Sequence, residues 1–182
     1  MKGTRIRIAC AIALALGAAG CASAPDDGID LYSSAPATEG ARVENPPAPM
    51  ECVPYARMRS GIALYGDAGT WWDKALGRYT RNPTPQLGSV IVLTGYAGPG
   101  RGHVGVVSAL VSTREIRLDH ANWLDDGAIY LDDPVVDVSP DNDWSQVRVW
   151  NARVGAWGAR TYDVEGFIGP SRASPTDRVA AE

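Results

Sequence analysis

Three β-branched, apolar runs follow Gly88 in close succession, Ser89–Leu93, His103–Val111 and Glu115–Trp123, and they commit the second half of this chain to sheet. Only Ser112, Thr113 and Arg114 separate the second run from the third, so these two form an antiparallel hairpin. Folding it back sets Gly105 opposite the His120 region and His103 opposite the Asn122 region. Side chains alternate along a strand, so Ile116, Leu118, His120 and Asn122 share one face. His103 shares a face with Gly105 and Val107, and the hairpin brings both histidines to one side, an arrangement that a one-residue slip would undo. Asp119 falls on the opposite face and reads as a solvated strand residue. Two later runs, Ser145–Arg153 and Thr161–Ile168, add strands anchored by Trp150 and Phe167.

Ahead of Gly88 the signals are helical. Glu51–Ser60 reads as a helix, with Pro54 tolerated in the first turn and Gly61 placed to end it. A shorter helix covers Thr70–Leu76 and stops at Gly77. Helices first and antiparallel sheet afterwards is the order of an α+β domain, expected over residues 51–170. The glycine-rich stretch Gly95–Gly102 is a loop. It is no phosphate cradle, because no Lys stands in the required place and no helix opens after it.

The flanks are of other kinds. Lys2, Arg5 and Arg7 precede an apolar stretch, Ile8–Ala19, that as a helix would reach only about 18 Å, short of a hydrocarbon core of about 30 Å. Residues 1–20 therefore read as an export signal. Ala18-Ala19-Gly20-Cys21 resembles the lipobox of bacterial lipoproteins, which implies lipidation of Cys21 and a membrane anchor. Ala22 after that Cys implies the outer membrane, with the domain facing the periplasm. Cleavage after Ala22-Ser23-Ala24 is the competing reading, and Pro25 disfavours it. Residues 21–50, carrying Pro25, Pro36, Pro46, Pro47 and Pro49, read as a tether. Residues 171–182 read as a polar tail. A net charge of −4, with no Lys or Arg run beyond the signal, argues against a nucleic-acid partner.

Of three cysteines, Cys10 leaves with the signal and Cys21 takes lipid, so Cys52 is the remaining thiol, with no disulfide partner. It sits at a helix N-terminus, where unpaired N–H groups and a nearby imidazolium lower a thiol pKa. The chain has two histidines, both on the hairpin. Together these residues suit nucleophilic catalysis: Cys52 attacks a carbonyl carbon, His103 holds the proton and returns it to the leaving amine, and His120 or Asn122 orients His103. His120 is the favoured orienter. The Cys52 backbone N–H is the expected donor to the oxyanion.

The ordered segments Glu51-Cys52-Val53-Pro54-Tyr55-Ala56, Trp71-Trp72, Pro85-Gln86-Leu87-Gly88-Ser89-Val90-Ile91-Val92, Gly102-His103-Val104-Gly105-Val106-Val107 and Asn122-Trp123 resemble the cysteine, histidine-dependent amidohydrolase/peptidase (CHAP) domain, a relative of the NlpC-type hydrolases. That resemblance implies a papain-like α+β fold, with the N-terminal helix bearing the Cys packed on an antiparallel β-sheet bearing the His residues. It implies an amidase or endopeptidase acting on peptidoglycan peptide stems through a Cys-thiolate acyl-enzyme, without a cofactor, with Cys52 as nucleophile and His103 as base. The chain departs from the family where Glu51 replaces a frequent Gln and where His120 replaces an acidic residue two before the Asn. The His at 120 brings the third position closer to the NlpC-type enzymes.

Two other readings compete. Cys52, His103 and His120 could ligate zinc, although the close ligand pairs usual in zinc motifs are missing. A catalytically inert peptidoglycan-binding module is the other, and Glu51 keeps it open. Trp71, Trp123 and Trp150 read as core fillers, while Trp72 or Trp123 could instead line a substrate groove.

Overall fold

The computed structural model describes residues 40–170. The signal, Cys21, residues 21–39 of the tether and the tail at 171–182 lie outside the described residues. The elements in order are β1 (Arg42–Glu44), α1 (Cys52–Ser60), a 3-10 turn (Ala68–Thr70) running into α2 (Trp71–Ala75), β2 (Arg81–Asn82), β3 (Val90–Leu93), β4 (His103–Leu110), β5 (Glu115–Ala121), β6 (Ile129–Asp137), β7 (Gln146–Asn151), β8 (Ala156–Trp157) and β9 (Tyr162–Ile168). Strand β1 arises within the segment read as tether and pairs with the first half of β6.

The papain-like α+β expectation does not hold. The fold is mostly β: β6, β5, β4, β3, β9 and β7 pair in that order, all antiparallel, and β6 pairs again with β7, closing six strands into a barrel. Closure removes the sheet edges that an open layered fold would leave. The helices are short, nine and five residues, and sit outside the barrel wall. Two features hid this from the sequence. Strand β6 is interrupted by Asp132-Asp133-Pro134, a run with turn chemistry, and β9 inserts between β3 and β7, which no local pattern records.

Alternation sorts the wall residues into two cores. Ile91, Leu93, Val107, Ile116, Leu118, Tyr130, Val135, Val147 and Phe167 face inward with Trp123 and Trp144. Val90, Val92, Val104, Val106 and Ile168 face outward, where Ala56, Ile62, Leu64, Trp71 and Ala75 cover them. Trp71 is thus a filler, as expected, but of the outer core. Helix α1 starts at Cys52, with Glu51 extended before it, and ends where Gly61 at φ 74° returns its N–H to Arg57 O.

Asp119 corrects another expectation. It is on the outer face, but α1 covers that face, so the residue is buried. Its Oδ2 accepts from Arg59 Nε at 2.8 Å and its Oδ1 from the Asp132 N–H at 3.0 Å. One carboxylate therefore ties the Cys-bearing helix to a bulge in β6, where Asp132 has a φ of 51°.

Candidate active site

The hairpin register is Gly105 opposite His120, as alternation required. His103 and His120 both face into the barrel, and each is 1% exposed. The two rings meet edge to face at a centroid distance of 5.2 Å, and Gly105 leaves room beside His120: a Cβ there would lie 3.2 Å from His120 Cβ and 3.2 Å from Leu118 Cδ1. His103 Nε2 meets His120 Nδ1 at 3.0 Å. His120 Nε2 in turn meets Asp133 Oδ2 at 3.1 Å.

Burial, then the neighbouring His120, holds the His103 imidazole well below its ordinary pKa, so it rests neutral. With Nε2 taken by His120, Nδ1 is the nitrogen left to accept a proton. Its ring packs against Tyr96 and Trp123 at centroid distances of 4.9 Å each.

Cys52 occupies the first turn of α1 as a half-buried free thiol. Its pKa moves opposite to the expectation from the helix N-terminus: desolvation pushes it up, and the Glu51 carboxylate adds to this. The backbone N–H groups of Val104, Val53 and Cys52 itself act the other way without winning. The Val104 contact sets the sulfur against the residue that follows His103. Both the thiol and the imidazole are driven toward neutrality, so a resting thiolate–imidazolium pair is disfavoured.

Asn122 does not face His103. Strand β5 ends at Ala121, and Asn122 turns into the left-handed region at φ 59°, which breaks the alternation that placed it beside His120. Its Nδ2 donates to Glu51 Oε2 at 2.9 Å and its Oδ1 accepts from the Gly127 N–H at 2.7 Å. Glu51 and Asn122 are thereby joined at the mouth of the site, next to Cys52.

Two residues beside the histidines escaped the sequence reading. Asp133, 1% exposed, is pushed upward in pKa by burial, against the pull of His120 and Arg117. Its Oδ1 is buried with no hydrogen-bond partner. The available signal was an acidic pair between two apolar half-strands, Ile129-Tyr130-Leu131 and Pro134-Val135-Val136. Tyr96, in the glycine-rich loop, donates its hydroxyl to Asn122 O at 3.3 Å and to Trp123 O. Trp123 is 5% exposed and packs on both imidazoles, whereas Trp72 lies under the Arg81 guanidinium, 4.6 Å from its ring centroid.

For a metal, the donor geometry is unfavourable. Two of the four imidazole nitrogens are spent on each other and a third on Asp133. Among the described residues, no group of three His, Cys, Asp or Glu side chains is arranged to hold an ion.

Residues 43–122 match the CHAP domain family. The match takes in Cys52, His103 and His120 and stops before β6 and Asp133. A domain of this class points in general to peptidoglycan hydrolysis, as an amidase or a peptidase, and to peptidoglycan as substrate. No curated protein matches the chain.

Proposed function

We propose that this chain is a cysteine amidase or endopeptidase of peptidoglycan, with Cys52 as nucleophile, His103 as general base and then acid, and His120 as the residue that orients His103. The observation that carries the reading is the 3.0 Å contact between His103 Nε2 and His120 Nδ1, with the Cys52 sulfur against the adjoining Val104 N–H and all three residues inside the CHAP match.

Because thiol and imidazole both rest neutral, the proton moves to His103 Nδ1 as sulfur attacks the amide carbon. The C–S bond forms and the carbonyl oxygen takes the charge, with the Cys52 N–H as a donor worth about 2.7–4 kcal/mol. His103 then protonates the leaving nitrogen as the C–N bond breaks. Water, losing its proton to His103, attacks the thioester and releases the acid and the thiol. Trp123 and Tyr96 against the imidazole limit water around it.

Residues 1–20 as a signal and Cys21 as a lipid site extend the proposal to an envelope lipoprotein facing the periplasm. Support comes from the basic start, the short apolar run and Ala18-Ala19-Gly20-Cys21. Mass spectrometry of the mature N-terminal peptide, with Cys21→Ser as control, tests it.

The hydrolase is tested by mass spectrometry of soluble fragments released from purified peptidoglycan by wild type, Cys52→Ala and His103→Ala. Fragments from wild type alone are expected, and their masses name the bond. Glu51 favours a second reading, a domain that binds peptidoglycan without cutting it, since its carboxylate disfavours the thiolate. Wall binding by a well-folded wild type that releases nothing would establish that reading instead.

A further inference from the structure

We propose that Asp133, which lies beyond the family match, is a positioning residue that sets the direction of hydrogen bonding through His120 and His103 and so leaves the lone pair of His103 on Nδ1, the nitrogen that the proposed reaction uses as base. The inference rests on the hydrolase reading above.

A neutral imidazole has one N–H donor and one acceptor nitrogen, whereas an ionised carboxylate only accepts. With Asp133 as the carboxylate and His120 as the neutral ring, His120 presents Nε2–H to Asp133 Oδ2 at 3.1 Å. Its Nδ1 is then an acceptor, and the 3.0 Å contact must be a donation from His103 Nε2–H. That leaves Nδ1 of His103 unprotonated, the state a base toward Cys52 requires. The reverse arrangement, with Nδ1–H on both rings, satisfies the His103–His120 contact equally well but places a proton where the lone pair is needed. The pair of rings cannot choose between the two by itself, and Asp133 supplies the choice.

The placement of Asp133 has the marks of a positioned group. Its carboxylate is 1% exposed, inside a barrel, with Oδ1 unpartnered, a costly arrangement that contributes nothing evident to packing. The bulge just before it, held by the Asp119 carboxylate on the Asp132 N–H, lets Tyr130 opposite His120 and Asp133 opposite Leu118 both face inward. The same Asp119 binds Arg59 of α1, so the acid and the Cys-bearing helix share one anchor.

The test is nitrogen NMR of the histidine side chains in uniformly ¹⁵N-labelled wild type and Asp133→Asn, read without substrate, beside turnover of peptidoglycan fragments. In wild type, both rings should carry the proton on Nε2. In Asp133→Asn, whose amide can donate or accept, His103 should shift wholly or partly to the Nδ1–H form, with kcat down roughly 100- to 10,000-fold and KM within about twofold. Wild-type rings protonated on Nδ1 would overturn the proposal outright, without recourse to any variant. So would a folded Asp133→Asn that keeps the Nε2–H form and loses less than about threefold in kcat. Because the spectra need no substrate, a failure to release fragments would count against the hydrolase reading and leave the tautomers to decide this one.

Discussion

Replacing Gly105 with Ala adds one methyl group directly opposite His120 on the paired strand. The new Cβ would sit 3.2 Å from His120 Cβ and 3.2 Å from Leu118 Cδ1, while carbon pairs are comfortable at about 3.5–4.0 Å, so a displacement of about 0.3–0.8 Å is required. His120 and Leu118 are both buried, so neither can move into solvent. Overpacking of this kind costs about 1–3 kcal/mol, which for a protein of this size lowers the melting temperature by about 2–12 °C. Some of the displacement falls on His120, whose two ring nitrogens are engaged at 3.0 and 3.1 Å. If a misplacement of about 1 Å costs about 100-fold in rate, a shift of a few tenths costs roughly 3- to 10-fold in kcat, with KM little changed because His120 is buried and does not present a surface to substrate. Thermal denaturation and the initial rate of fragment release measure the two effects. A Gly105→Ala protein with wild-type melting temperature and turnover would show that the missing side chain does not hold the imidazoles in register.

Two further outcomes follow from the charges at the site. Glu51→Gln removes a carboxylate that raises the Cys52 pKa, so the pH midpoint for alkylation by iodoacetamide should move down, and turnover should rise as an amide donor replaces an acceptor near the oxyanion; a midpoint unmoved or raised would refute this. His103 works as a neutral base, and burial places its pKa well below 6.5, so kcat/KM should stay on its plateau as pH falls through 6.5 and decline only at more acid pH. An acid limb centred at 6.5 or higher in the rate of fragment release would contradict that assignment.

What local pattern carried in this sequence was the hairpin. Its register depends on period-two alternation and a three-residue connection, both written in adjacent residues, and Gly105 does stand opposite His120. The same alternation put Asp119 on the correct face and then misjudged its surroundings, because nothing in residues 115–123 tells that α1 will cover that face. Asn122 was misplaced for the converse reason: alternation was extended one step past the end of the strand, into a left-handed residue held by Gly127 and Glu51. The barrel was illegible because its closure lies in pairings between β3 and β9, β7 and β9, and β6 and β7, which are distant in sequence. Strand β6 is also disguised by Asp132-Asp133-Pro134. Asp133 was lost with its strand.

Closing the sheet into a barrel changes the chemistry as well as the shape. An open sheet under a helix would leave the imidazoles wet on one side, and a thiolate–imidazolium pair could then persist at rest. Inside the barrel, burial lowers the His103 pKa and raises that of Cys52, so the charges must appear only while substrate is reacting. An imidazolium that forms for that interval needs a fixed negative partner already in place, since buried side chains have no solvent to reorganise around them. Asp133, when ionised, is such a partner, one ring removed from the reacting nitrogen, and its raised pKa records what holding a charge there costs. A carboxyl whose folded pKa lies above its unfolded value adds stability only when protonated and loses that contribution as pH rises through the folded value. Ionising Asp133 therefore weakens the fold, and the direction it gives to the histidine pair is the function that this cost would serve.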